Sequence, residues 1–283
     1  MSKKTRTVKK KVISDKQLKQ NMLFWSIAIP LILVLGIMAW QHRAGLSYLM
    51  IKWFGSKEIA RDDQSKFDIR NLEVMRRHYD KIYGIDVSQY QGDIEWDSVH
   101  TINNEIAIDY IFLRATMGEK AKDSKFAENW KEVKKKNKLR GAYHYFRPNE
   151  NSIKQAINFI NTVKLEPGDL PPVLDIEEMP RSQSMDSLKS GLKRWLVRIE
   201  KHYNVKPVLY SGDKYFADFL EKEFADYTLW IANYNFWVEK PKKHWNFWQF
   251  SERGSVKGIK GSVDLNLYNG DIEDLEELCV PYN

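Results

Sequence analysis

The chain has 283 residues, a formal charge of +7 and ten Trp, fourteen Tyr and thirteen Phe, enough length for one large domain or two small ones. The charge is local: residues 1–20 carry Lys3, Lys4, Arg6, Lys9, Lys10, Lys11, Lys16 and Lys19 against Asp15 alone, and the remainder sums to zero. A neutral remainder argues against a general polyanion binder, so no nucleic-acid partner is expected.

The basic tail, 1–20, abuts Met22–Trp40, nineteen residues without a charge. At about 1.5 Å per residue a helix of that length spans roughly a bilayer core, and Trp25 and Trp40 stand near its ends, where indole rings favour the interface. The expectation is a transmembrane anchor over 21–40, with the N-terminus cytoplasmic and the rest outside the cytoplasmic membrane. A cleaved signal peptide fits less well, because the apolar run is long and no small-x-small site follows it. The lone Cys279 allows no internal disulfide and reads as a small buried hydrophobe.

Residues 41–80 read as a mixed-charge connector. Leu46–Phe54 is rich in apolar and aromatic side chains and could lie on a membrane surface or pack on the domain. Helical spacing of Phe67, Ile69, Leu72 and Met75 then leads towards a catalytic domain over 81–283.

From residue 82 apolar strand candidates recur: 82–87, 110–115, 139–145, 172–176, 207–210, 228–232, 247–250 and 263–267. Amphipathic helical stretches separate the first five, as at 125–136, 152–163 and 187–202. Strand and helix in alternation imply a parallel sheet, and this number of strands in about two hundred residues implies an α/β fold of the closed (β/α)-barrel type. The gaps near 233–245 and 251–262 carry little helical signal, so the last strands lack full helices. No HExxH, paired CxxC or phosphate-binding glycine motif occurs, and His144 and His202 read as structural; neither metal nor cofactor is expected.

Carboxylates crowd the strand ends. Asp86 closes the first strand, Asp175 and Glu177 end the fourth on one face, and Asp264 sits in the last. In a closed barrel the first and last strands are neighbours, which brings Asp86 and Asp264 together. Crowded, partly buried acids have raised pKa values, as a general acid for glycosidic cleavage needs. Singly, each acid could merely cap a helix. The surrounding side chains add context: Tyr143, Tyr145, Phe146, Tyr210, Trp230, Tyr234, Trp248 and Gln249 end successive strands, and aromatic faces with amides and hydroxyls suit sugar rings.

These residues resemble glycoside hydrolase family 25, the Chalaropsis-type lysozymes. The likeness runs from about Tyr83 to Tyr268 through ordered motifs: GIDVSQYQG, FLRATMG, GAYHYFRP, PPVLDIEE, VLYSG, LWIANY, FWQFS and VDLN. The resemblance implies a (β/α)-barrel with few helices in its last part and a muramidase acting on peptidoglycan glycan strands. By motif, Glu177 is then the general acid and Asp175 assists the 2-acetamido group or stabilises charge, while Asp86 and Asp264 support both. Tyr143 and Tyr145 are implied substrate contacts. Tyr210, Trp230, Tyr234 and Gln249 join them from their strand-end positions. Met117 departs from the Glu that many relatives carry after Ala115-Thr116. Either retention through acetamido attack or inversion by direct water attack fits the residues. Two other classes remain as alternatives: a wall-binding module without catalysis, and a chitinase-like hydrolase. The first would be expected to have lost Glu177, and the second lacks its longer Asp-x-x-Asp-x-Asp-x-Glu run here.

Overall fold

The computed structural model describes residues 15–41, 63–235, 240–241 and 244–282. The chain divides into two compact units, Met1–Phe54 and Gly55–Asn283. Most of the basic tail and the stretch Leu46–Phe54 lie outside the described residues.

In the first unit, helix α1 spans Asp15–Gln41 and contains Pro30. Met22, Phe24, Ile27, Ile32, Leu33 and Ile37 on it are each more than half exposed. Among the described residues no helix is long and apolar enough to cross a membrane. In α1 those with described side chains are 22 and 24–38, and the span expected from sequence, 22–40, runs past them.

The second unit begins upstream of the boundary expected at 81. Helix α2 (Asp63–Arg77) buries Val74 and Met75 and is held by backbone acceptors of distant residues. Arg70, almost fully buried, donates to the carbonyls of Phe250 and Asn235, and Asn71 Nδ2 donates to Arg253 O at 3.2 Å. Tyr83 Oη donates back to His78 O at 3.0 Å.

Among the described residues, nine strands form one sheet. Eight close into a barrel in the order β1 (Ile82–Val87), β4 (Tyr110–Met117), β6 (Leu139–Tyr145), β7 (Val173–Asp175), β8 (Val208–Gly212), β9 (Thr228–Ala232), β10 (Phe247–Gly254) and β11 (Val263–Tyr268). The ring closes where β1 pairs parallel with β4, Gly84 opposite Tyr110. β11 is antiparallel to both neighbours, β10 and β1, which departs from the all-parallel expectation. Outside the ring, β5 (Ala121–Lys122) folds back on β4, and β2 (Thr101–Ile102) pairs with β3 (Ile106–Ala107).

Three crossover helices follow the amphipathic stretches. α3 (Phe126–Lys135) buries Phe126, Asn129 and Val133 on one face. α4 (Ser152–Thr162) starts where Asn151 Oδ1 accepts from Ile153 and Lys154 N–H. α5 (Met185–Tyr203) buries Leu188, Leu192, Trp195, Leu196 and Ile199, and stops at left-handed Asn204. The expected helix between the first two barrel strands is absent; short 3₁₀ turns at Gln89–Gln91 and Trp96–Ser98 and the β2–β3 hairpin fill that interval. Residues 213–224 form a broken helical segment with a π turn at Phe216–Leu220. A last helix, α6, spans Ile272–Glu277.

Two apolar clusters result, one between sheet and helices and one within the barrel. The inner one is aromatic: Phe112 stacks on Trp230 with centroids 4.6 Å apart, and Tyr110 and Phe247 meet it edge-on. Room for these rings comes from two strand glycines. Gly84 faces the ring of Tyr110 and Gly141 faces Phe112, each its register partner. A Cβ at either would lie inside van der Waals contact with a fully buried ring.

Gly84→Ala is therefore expected to lower unfolding free energy by about 2 kcal/mol or more through overpacking, whereas Gly212→Ala, which meets nothing within 4 Å, is expected to stay within about 0.5 kcal/mol, both read from urea denaturation.

Candidate active site

The parallel strands deliver their C-terminal ends to one rim of the barrel. β1 brings Asp86 there, β7 ends in Asp175, and Glu177 follows two residues on. Because β11 runs antiparallel, its beginning reaches the same rim, and Asp264 is the register partner of Asp86. A cavity of about 200 Å³ opens between them. It is lined by all four carboxylates and by Tyr143, Tyr145, Tyr210, Trp230, Tyr234 and Gln249, together with Val87, Ser88, Tyr90, Gln91, Arg114 and Glu252.

Every residue singled out from sequence for the site thus meets in one place, but two neighbours in the aromatic series do not. Phe146 and Trp248 are fully buried in the outer cluster, because alternation along their strands turns them away from the barrel axis. Trp230 lines the cavity as its floor and not as a free platform: it is 2 % exposed, packed on Phe112, with Nε1 donating to Asn266 Oδ1 at 2.8 Å.

Arg114 and Glu252 were missed. Arg114 lies in register with interior Tyr110 and Phe112, so a cation in that apolar strand was a readable signal. Its Nε donates to Asp123 Oδ2 at 3.0 Å and its guanidinium lies over the Tyr90 ring, which anchors the 88–92 loop beside the acids. Glu252 follows irregular pairing in β10 after Gln249, which no sequence periodicity announces.

The hydrogen bonds converge on Asp86. Gln249 Nε2 and Asn266 Nδ2 each donate to its Oδ2 at 2.7 Å. Gln249 is oriented in turn by phenols, since Tyr210 Oη donates to its Oε1 at 2.6 Å and Tyr234 Oη donates to the same atom. Burial pushes Asp86 up to about 6, opposed by the bonds from Asn266, Gln249 and Asp264. Asp264 is pushed up to about 9, first by burial and then by the charges of Asp86 and Glu252, so at neutral pH it holds a proton and donates it to Asp86.

Asp175 and Glu177 form the second pair. Burial and then the charges of Glu177 and Asp86 raise Asp175 well above the carboxylate range. Glu177 is exposed at the mouth as a side chain, but its carboxyl sits within the acidic cavity. Enclosure raises its pKa, a bond from Asp175 opposes that, and the charges of Asp86, Glu252 and Glu178 add to the rise. Asp175 Oδ1 is buried without a hydrogen-bond partner among the described residues. Among the described residues no group of three or more His, Cys, Asp or Glu side chains is arranged to hold a metal ion. The arrangement provides two pairs of carboxyls with raised proton affinity inside a rim of phenols.

Residues 85–259 match the family model described as glycosyl hydrolases family 25. The uncharacterized protein YegX of Escherichia coli (strain K12) is 40 % identical over 199 residues, covering 69 % of this chain and 72 % of YegX. Lysozyme M1 of Streptomyces globisporus is 30 % identical over 215 residues, covering 70 % and 71 % of the two chains. Among solved structures, the lysozyme of Streptomyces coelicolor superposes with a TM-score of 0.64 at 29 % identity, covering 70 % of this chain and 97 % of that one.

A carboxyl whose folded pKa is raised contributes stability that is fully present below its unfolded value and lost as pH rises through the folded one. Asp264 therefore costs stability progressively between about pH 4 and pH 9. Asp264→Asn is expected to raise the thermal midpoint by on the order of a few °C at pH 8, with the gain shrinking towards pH 4, read from thermal unfolding at the two pH values.

Proposed function

The chain belongs to glycosyl hydrolases family 25, and from that premise we propose that it is a muramidase, cleaving the β-1,4 bond between N-acetylmuramic acid and N-acetylglucosamine in peptidoglycan. The observation that carries this reading is that Asp175 and Glu177, each with raised proton affinity, line one acidic, tyrosine-rimmed cavity with Asp86 and Asp264.

In this reading the muramyl ring sits over Asp175 with its acetamido N–H directed at that carboxylate. An ionised Asp175 is the stronger acceptor for that N–H, and the step requires the proton to reside on Glu177. The acetamido oxygen attacks the anomeric carbon as the bond to the leaving oxygen breaks, and Glu177 protonates that oxygen. Asp175 stabilises the resulting cyclic, oxazoline-like intermediate. Water, deprotonated by Glu177, then adds to the same carbon and restores the acetamido group, with overall retention. Asp86 and Asp264 lie beyond Asp175 and Glu177 and hold negative charge where positive charge develops.

We further propose that residues 22–40 tether the enzyme in the cytoplasmic membrane with the catalytic unit outside, on the strength of the uncharged run, its basic flank and the exposed apolar side chains of α1. Tethering confines cleavage to wall within reach, which suits remodelling of the cell's own wall. The full chain is expected to stay in the pellet after alkaline extraction of membranes; release into the supernatant would overturn the tether.

For the chemistry, digestion of peptidoglycan by the full chain is expected to yield muropeptides with reducing-end N-acetylmuramic acid on mass spectrometry. Glu177→Gln is expected to lower that rate by about 10²- to 10⁴-fold. Reducing-end N-acetylglucosamine, or wild-type rates in the variant, would refute the assignment.

A further inference from the structure

A second cavity, about 700 Å³, lies beside the first across the ends of β4, β6 and β7. Its walls are the turn after Met117, the loop that follows Tyr145 and the loop that follows Glu178. The two cavities share a partition: Tyr145 lines the first, and its Oη donates at 3.1 Å to Glu178 Oε1, which lines the second.

Three acids and three cations line this space, but they are not equally available. Glu178 is held by Arg147 at 2.5 Å as well as by Tyr145. Glu119 accepts from Asn151 N at 2.7 Å and pairs with Lys154, and Glu150 accepts from Glu119 N at 2.6 Å. Lys120 and Arg181, by contrast, have no side-chain hydrogen bond or ion pair among the described residues. Met117 contributes to the same end: its neutral thioether accepts from Arg147 Nη2 at 3.2 Å, so no fourth carboxylate enters the wall. The walls are built before any ligand arrives. Gly118 at φ +59 fixes the turn that carries Lys120, and Asn149 Oδ1 accepts from Arg181 N and Ser182 N at 3.0 Å each.

We infer that this second cavity receives the anionic peptide stem of the muramyl unit, with Lys120 and Arg181 binding its carboxylates. The inference rests on the muramidase reading. The stem leaves the same ring as the acetamido group that Asp175 faces, and its carboxylates are the anions a substituted glycan carries near the cleaved bond. One side chain's width separates the two cavities, so a ligand can occupy both.

The test compares kcat/KM of the full chain on soluble, uncrosslinked peptidoglycan strands with that on the same strands stripped of peptide by an amidase, which leaves the lactyl carboxylate free. Lys120→Ala/Arg181→Ala is expected to lower the peptide-bearing to peptide-free ratio about tenfold, through KM rather than kcat, as loss of two exposed charge-assisted contacts would. Met117→Glu is expected to shift the ratio in the same direction. An unchanged ratio overturns the inference. Equal losses on both substrates overturn it too, because the cavity would then read the sugar or the lactyl carboxylate. If wild type cuts neither substrate, the muramidase reading fails instead. Equilibrium binding to Glu177→Gln protein then decides: tighter binding of a disaccharide tetrapeptide than of the peptide-free disaccharide, lost in the double variant, retains the stem site, and no preference removes it.

Discussion

Two side-chain amides, from Gln249 and Asn266, donate to the same carboxylate oxygen of Asp86, and much of the site's electrostatics follows from that convergence. Each amide is itself held in one orientation, Gln249 by two phenols and Asn266 by the indole of Trp230. With its donors fixed, Asp86 is the most readily ionised member of the inner pair, and its charge then raises the proton affinity of Asp264, Asp175 and Glu177. A buried charge would ordinarily be costly. Here it is solvated by protein dipoles that need not reorganise, and it raises the proton affinity of the acids beside it.

The indole that orients Asn266 is also the ring that stacks on Phe112 in the barrel interior. Packing and the electrostatics of the acidic cavity are therefore joined at Trp230. The glycines of β1 and β6 admit the rings of β4, the rings support Trp230, and Trp230 sets one of the two amides on Asp86. A core change several residues from the cavity has a defined route to the acids. The route passes through hydrogen-bond direction as well as through volume.

Much of this was legible in the residues, and for a physical reason. Strands buried on both faces read as apolar runs, so a carboxylate at the end of one, such as Asp86 after Tyr83–Ile85 or Asp175 after Val173-Leu174, is conspicuous. Helix faces announced α3, α4 and α5 by the spacing of their buried residues. What stayed hidden depended on pairing and not on pattern. The antiparallel sense of β11 leaves no trace in its composition, although it decides which end of that strand carries Asp264 to the rim. The irregular pairing that brings Glu252 into the cavity breaks the very alternation a reader would use. Helix α2 was visible as a helix, but its place in the compact unit rests on Arg70 and Asn71 reaching backbone carbonyls some 180 residues away. Trp248 and Phe146 show the opposite error: a correct strand, read one residue out of phase with the interior.

The reversed last strand also settles where the chain leaves the barrel. After Tyr268 it lies at the end opposite the carboxylates, where Leu275 and Cys279 of the closing segment join the inner apolar cluster and Val280 exchanges backbone bonds with Gly168 and Asp169. Residues 272–280 thus plug the base of the barrel. Chain continuing past this segment leaves from the floor, at the end away from the acidic opening.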